Sequence, residues 1–414
     1  VSSRPPRSMA PPPPPPISCS GMSASADRSP PWEEGRASVR IRFSSSPPSG
    51  TAAERLTDDL LVEILSRVPV KSLCRFKCVS SHWLSLIHHP DHRKKLPQTL
   101  AGFFYTTDDF ERIPISAYHL ANFSGRSCPP IDKSFSFLWN HRRVDLLDCC
   151  GGLLLCSCYT GEGDRYIACN PAREEWVMLP ETSNAGMRGT VSLGFDLAVS
   201  PHFRVFVLLA FMDHDGDFGR GLTRVDIFSS ETRRWVRKEK RWNENLYFLG
   251  PRHQSTVFLN GYMHFYACSI TSSHCVVAVD MEGETWTTFR IPGHLRHGFL
   301  QLSQGCLHYS SFQKDEDEVV RLVVYVLGDY DNKEWMMKHS IETSHISGWI
   351  PIDHRCIAIH PECDLIFFTA GVATKIMCYN MNSRQVKLIS SVEYDNPPYL
   401  LYVPLYAELQ SLHT

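Results

Sequence analysis

The sequence predicts a mainly β protein with a small α domain: an N-terminal helical unit followed by a β-propeller of about six blades. Three observations lead there. Five segments repeat one strand-turn-strand shape at a spacing near 50 residues, the period of a propeller blade. The stretch ahead of them spaces its apolar side chains as helices do. The N-terminal residues before that are rich in Pro and Ser and carry almost no periodic apolar side chains.

The chain has 414 residues, 43% of them hydrophobic and 21% charged, which is the make-up of a globular protein. Its 42 basic and 44 acidic side chains leave a net charge of -2, so no global field draws it to nucleic acid or anionic lipid. No nucleic-acid partner is expected. No apolar run reaches the roughly 18 residues of a membrane helix, so no membrane span is expected either. The 15 cysteines are odd in number and scattered. Cys149-Cys150 and Cys156-Ser-Cys158 are the close groups, and no second pair faces them to complete a zinc site. They read as small buried hydrophobes in a reducing compartment, and no metal or cofactor is expected.

Residues 1–53 hold prolines 11–16, Pro30-Pro31 and Pro47-Pro48 among many serines. Such a composition cannot bury enough apolar surface to offset the entropy of ordering, so disorder is expected. Arg4, Arg7, Arg28, Arg36, Arg40 and Arg42 also fit an organellar targeting peptide, a minor alternative that Asp27, Glu33 and Glu34 argue against. The chain begins at Val1, and Met9 and Met22 are candidate starts.

From residue 54 to 96 the texture is helical. Leu56, Leu60, Leu61, Ile64, Leu65 and Val68 recur at helical spacing, with Thr57 as the expected N-cap and Asp58 and Asp59 in the first turn. Pro69 stops that helix. A second series, Leu73, Phe76, Val79, Trp83, Leu86 and Ile87, continues to about Pro90 with a break near Cys78. Two or three short helices are expected. So short a unit cannot bury all of these side chains by itself, so a partner is expected to cover some of them. Arg67, Lys71, Arg75, Lys77, Arg93, Lys94 and Lys95 favour an acidic partner surface.

Residues 97–414 read as strands. The repeated shape runs through 166–176, 225–235, 276–286, 323–335 and 376–386, closing on Trp176, Trp235, Trp286, Trp335 and Val386. Those positions are 59, 51, 49 and 51 residues apart. The tryptophans are read as blade core. Gly151-Gly152, Asn260-Gly261 and Gln304-Gly305 open repeats with hairpin turns. Residues 97–148, with an early strand at 101–105, read as a sixth, degenerate blade. The terminal strand around Tyr399 to Pro404 is expected to pair with it and close the ring.

These residues carry a resemblance. Residues 56–87, LTDDLLVEILSRVPVKSLCRFKCVSSHWLSLI, resemble an F-box across the whole motif. The remainder resembles the F-box-associated, kelch-like propeller of the large plant F-box families, through CCGGLLLC at 149–156, CNPAREEWVMLP at 169–180 and Tyr402-Val-Pro404. The chain departs from the family's usual pattern at Thr57, where Pro is common, and at Ser80 and Ser81, where a Cys and a cation are common. The resemblance implies a non-catalytic substrate-recognition adaptor of an SCF-type cullin-RING ubiquitin ligase. The F-box would bind a Skp-type linker protein through Leu56, Leu60, Leu61, Ile64, Leu65, Val68, Pro69, Leu73, Phe76, Val79, Trp83, Leu86 and Ile87 and, through that linker, cullin and RING subunits. The propeller would hold a target protein, unknown from sequence, for ubiquitination and degradation. The nucleus and/or cytoplasm is the expected location. The alternative is an F-box scaffold acting outside ubiquitin transfer.

Other chemistry lacks its minimum residues. Asp213-His-Asp-Gly-Asp217 starts like a calcium loop, but its twelfth position is Arg224 and its Gly is misplaced. No GxSxG, Walker-type or His-Glu-x-x-His motif occurs. For target binding, the least repeat-like insertions are 212–222, 243–253, 292–299 and 345–354. Within them Arg220, Tyr247, Phe248, Arg252, His297 and Trp349 are the candidates, because Tyr, Trp and Arg dominate interface hot spots.

Overall fold

The computed structural model describes residues 56–413 apart from 69, 94, 97–99, 109–115, 123–134, 139–143, 160–163, 183–188, 211–221, 243–245, 249–255, 270–273, 293–297, 315–319, 348–353, 371–374 and 392–394. The stretch expected to be disordered, 1–53, lies outside the described residues.

Helices α1 (Asp58–Ser66), α2 (Val70–Phe76) and α3 (Ser81–His88) are followed by a single turn, α4 (Pro90–Arg93). The expected break near Cys78 is the gap between α2 and α3. It is Ser80 that caps α3, its Oγ accepting the Trp83 N–H at 3.1 Å. Thr57 holds the N-cap position of α1, but its side chain makes no cap bond. Its carbonyl instead accepts the Leu61 N–H at 3.0 Å, and Asp58 and Asp59 complement the positive end of the helix. The turn beyond Pro90 was not expected; proline suits a first helical turn because its φ is already helical.

The strands form six sheets. β1 (Gly102–Asp108) and β2 (Ser116–Asn122) open the series. Blade I comprises β3 (Val144–Cys150), β4 (Leu153–Tyr159), β5 (Asp164–Asn170) and β6 (Glu175–Met178). Blade II comprises β7 (Thr190–Gly194), β8 (Arg204–Ala210), β9 (Leu222–Ser229) and β10 (Arg234–Arg241). In blade III, β11 (Leu246–Phe248) and β12 (Thr256–Leu259) both pair with β13 (Tyr262–Ser269), followed by β14 (His274–Asp280) and β15 (Trp286–Arg290). Blade IV comprises β16 (Phe299–Ser303), β17 (Cys306–Lys314), β18 (Val320–Asp329) and β19 (Glu334–Glu342). A short α5 (Ser344–Ser347) leads to blade V, made of β20 (His354–Ile359), β21 (Leu365–Ala370), β22 (Lys375–Asn380) and β23 (Gln385–Ser391). Finally β24 (Asp395–Tyr402) returns to pair with β1, matching Gly102 with Tyr402 and Phe104 with Leu400. The expected closure by the terminal strand is therefore present. The described residues give five full blades and a sixth sheet of three strands, β2-β1-β24, against an expectation of about six blades. The inner strands β3, β7, β12, β16, β20 and β24 neighbour one another in turn around a closed ring.

Two turn types explain the repeat seen in the sequence. Gly151-Gly152, Asn260-Gly261 and Gln304-Gly305 all have positive φ at both residues, as a two-residue hairpin turn requires. The turn between third and fourth strands opens on Asn170, Ser229, Asp280, Asp329 or Asn380. In each, the side-chain oxygen accepts a backbone N–H a few residues on, at 2.8 to 3.4 Å. It closes on Glu174, Arg233, Gly283, Lys333 or Arg384, at φ between 54° and 73°.

The core is a set of layers between neighbouring sheets. Leu153 and Leu155 of blade I meet Val205 and Phe228 of blade II; Phe206 and Ile227 of blade II meet Met263 and Phe265 of blade III. Tyr266 and Phe289 meet Leu307 and Tyr309, and Leu322 and Val324 meet Phe368 and Tyr379. Trp176, Trp235, Trp286 and Trp335 are half-buried near the start of each outer strand, packed against the layer shared with the preceding sheet. Val386 fills that place in blade V. Cys156, Cys158 and Cys169 are buried in these layers, as their small apolar character suggests.

Residues after β24 strap the propeller. Leu409 and Leu412 are buried against blades I and II, Asn170 Nδ2 donates to the Leu405 carbonyl at 2.9 Å, and Ser411 Oγ donates to the Pro201 carbonyl at 3.2 Å. A Cβ on Gly152, at φ +89°, would fall 2.6 Å from the Val403 carbonyl oxygen, so the strap also needs glycine there.

A polar tie joins blades IV and V. Lys338 Nζ donates to Asp364 Oδ1 at 2.7 Å and to His308 Nε2 at 3.1 Å, while His308 Nδ1 donates to the Cys306 carbonyl at 3.0 Å. Gln304 and Asn382 complete the carboxylate's partners at 2.8 and 3.1 Å. The Lys338 ammonium bonded to Asp364 pulls its carboxyl down to about 2. Burial, helped by the Lys338 charge, pulls the His308 imidazole down to about 4.

Truncating Leu409 to Ala leaves a cavity between the strap and two blades and should cost about 2–5 kcal/mol, read from urea unfolding of the full chain. A cost under half a kcal/mol, on the order of a surface change, would contradict a packed strap. The second prediction concerns pH. His308 stays neutral in the folded protein down to about pH 4, whereas the unfolded chain protonates it near 6.5. The unfolded state therefore binds more protons in that window, and stability falls with acidification by up to about 1.4 kcal/mol per pH unit from this group. His308→Gln should remove that share of the slope between pH 6.5 and 4; an unchanged slope refutes the assignment.

Candidate docking surfaces

The helical unit separates its apolar residues into two sets. Leu61, Leu65, Leu73, Leu86 and Ile87 are buried, and Val68, Phe76 and Trp83 are half-buried around them. Phe76 and Trp83 meet edge to face with centroids 5.3 Å apart. The second set faces outward: Leu60 is 52% exposed, Ile64 49% and Val79 60%, with Leu56 also exposed. Leu60 and Ile64 sit four residues apart and so share one stripe of α1, with Leu56 just ahead of the helix. Leu84 on α3 is exposed too and was missed in the sequence, because it falls outside the apolar series that defines the buried face of α3. Pro69 lies outside the described residues. Polar neighbours of the stripe are Glu63 and Arg67, which are bonded to each other, and the His82–Asp58 pair at 3.0 Å.

The propeller has two unlike ends. Antiparallel order puts the first-to-second and third-to-fourth strand turns at one end, and the second-to-third and blade-to-blade connections at the other. The first end carries the tight turns, the strap and the Lys338–Asp364 tie. Gly102 pairs with Tyr402, where β24 runs out into the strap, so the chain enters the propeller at this turn end. The helical unit reaches the same end. Burial lifts the carboxyl of Glu362, between β20 and β21, and the nearby Lys77 ammonium on the α2–α3 link acts against that rise.

Of the target candidates from sequence, Tyr247 and Phe248 lie toward the other, loop end. Arg220, Arg252, His297 and Trp349 lie outside the described residues. Their segments join β8 to β9, the two inner strands of blade III, β15 to β16 and β19 to β20. Tyr247 and Phe248 lie in β11, paired with Cys268 and Ala267.

Asp148 on inner strand β3 accepts the Leu193 and Cys149 N–H groups, both at 2.8 Å, and lies 3.5 Å from Thr256 Oγ1. It thereby ties the inner strands of blades I, II and III. Burial lifts its carboxyl to about 6 against the pull of those bonds. With its oxygens taken by donors of the scaffold, Asp148 is suited to holding strands together. Among the described residues no three His, Cys, Asp or Glu side chains gather as a metal site would need, and no helix is long and apolar enough to cross a membrane.

The sequence matches the F-box domain at residues 54–95 and the F-box associated beta propeller domain at residues 119–397. It is 26% identical over 317 residues to F-box protein At5g07610 of Arabidopsis thaliana, covering 71% of this chain and 72% of the relative. It is also 26% identical over 364 residues to F-box protein At5g49610 of the same plant, covering 81% and 91%. F-box/kelch-repeat protein At3g23880, again from Arabidopsis thaliana, is 25% identical over 267 residues, covering 60% and 69%. A helical unit with an unburied apolar stripe, joined to the turn end of a ring closed by its last strand, is thus an F-box ahead of its associated propeller, and the chain belongs to the F-box proteins that carry an F-box associated beta propeller domain.

Proposed function

We propose that this protein is the substrate-recognition adaptor of an SCF-type cullin-RING ubiquitin ligase. The observation that carries the reading is the Leu60 and Ile64 stripe of α1 with Leu56 just ahead of it, exposed although the unit's own core is already filled by Leu65, Leu73 and Ile87. Apolar side chains grouped in that number on one short helical unit are stable in water only at a cost that a partner removes. A Skp-type linker protein would cover them and carry the cullin and RING subunits.

The propeller would hold a target protein at its loop end, opposite the end where the helical unit attaches. Ubiquitin transfer would then occur on the ligase's other subunits, and this chain would do no covalent chemistry. The described cysteines are free thiols, which suits work in the nucleus or cytoplasm.

The test is co-purification of the full chain with a plant Skp-type linker and cullin. A stoichiometric complex supports the reading. Replacing exposed Leu60 and Ile64 with Asp should weaken linker binding at least about tenfold, since each buried Leu or Ile contributes roughly 1.5–3 kcal/mol. The thermal transition of the propeller should be unchanged. Undiminished binding by that variant would remove the stripe from the interface. A linker complex that fails to recruit cullin would favour an F-box scaffold outside ubiquitin transfer.

A further inference from the structure

The outer strand of blade II is unlike every other outer strand in the described residues. Six of the nine residues 233–241 are Arg or Lys, and the single acid is Glu239. By contrast β2 and β6 hold no Arg or Lys, and β15, β19 and β23 hold one each: Arg290, Lys338 and Lys387. In a chain whose net charge is -2, this is a local field of opposite sign.

The strand is also open. β10 pairs with β9 over all eight of its residues and has no sheet partner on its other side among the described residues. Alternate N–H and C=O groups along that side therefore point away from the blade. The scaffold engages some of the cations. Arg237 donates to buried Asp226 at 2.9 Å, Lys238 bonds Glu284 of blade III, and Arg233 bonds the His413 carbonyl. Arg234, Lys240 and Arg241 have no acidic partner among the described residues; Arg234 and Arg241 are exposed, and Lys240 stands 5.7 Å over the Trp242 ring. Strand alternation places Arg234 and Lys240 on one face of β10 and Arg241 on the other.

We propose that β10 is a docking edge for an extended, acid-rich segment of a partner protein, which adds to blade II as a further strand. Backbone hydrogen bonds along the open edge give such an addition its direction and register. Acidic side chains on the incoming strand meet Arg234 and Lys240 on one face and Arg241 on the other. The same cations repel β10 of a second copy, so the edge rejects self-pairing while accepting a strand of opposite charge. This surface runs along the outer edge of blade II, from the turn end at Arg234 to the loop end at Arg241, and does not depend on the ligase reading.

The probe is a fluorescein-labelled peptide of repeating Glu-Glu-Thr-Thr, which carries acids on both strand faces, titrated with the full chain and followed by anisotropy. Saturable binding that weakens with added salt is expected. Arg234→Glu, Lys240→Glu and Arg241→Glu combined should weaken it by at least about tenfold, with the thermal transition unchanged. On the unaltered protein, a peptide of the same charge with alternate backbone nitrogens methylated should lose binding, since it cannot join a sheet. Equal binding of the methylated peptide, or of duplex DNA at the same concentration of negative charge, would overturn strand addition in favour of a generic polyanion surface. Failure of the Glu-Thr peptide to bind would overturn the proposal outright.

Discussion

The pairing of β1 with β24 is the constraint on which the rest of the structure depends. It joins strands about 300 residues apart in sequence and turns a row of blades into a ring. The sheet it creates supplies both of the layers that flank it. Phe104, Leu400 and Tyr402 pack against Leu154 of blade I, while Phe103 and Tyr105 pack against Ile357 and Phe367 of blade V. Without the closure two inner layers would lie open and two strand edges would be free to pair with other chains. The strap of residues 403–413 extends the same device, because it leaves the closing strand and fastens to the next two blades.

Closure also settles which segments share an end of the ring. It places the tight turns, the strap and the attachment of the helical unit together, and leaves the longer connections at the opposite end. The turn end is held by bonds that cross between blades, such as Lys338 to Asp364 and Gln304 to the same carboxylate. A scaffold tied there can present variable segments at the other end without losing its shape. The helical unit follows a similar economy. One face of α1 completes a small core through Leu61 and Leu65, and the adjacent stripe of Leu60 and Ile64 stays exposed.

Much of this was legible in the chain, for identifiable reasons. The blade repeat could be read because its third-to-fourth strand turn needs an Asn, Asp or Ser to accept backbone N–H groups and its outer strand needs a large apolar side chain. Those requirements recur in every full blade and so recur in the sequence. The strap was not legible, because Leu405, Leu409 and Leu412 are spaced as neither a strand nor a long helix and are defined only by the blades they cover. Thr57 was expected to cap α1 through its side chain, whereas Ser80 performs that role for α3. A capping residue type marks a helix start, but whether the hydroxyl turns inward is decided by local packing.

Apolar periodicity and turn chemistry are local properties, so the sequence by itself determined the helical unit, the blade period, the glycine hairpins and the strand that closes the ring. Exposure is not local. Leu60 and Leu61 are adjacent and chemically identical, yet one is half open to solvent and the other is buried, because only the placement of α3 against α1 chooses between them. The same holds for β10, whose cations could be read from the chain but whose open edge exists only because blade II ends there. Tertiary structure decides which side chains remain for partners, since burial belongs to the whole arrangement and not to any residue in it.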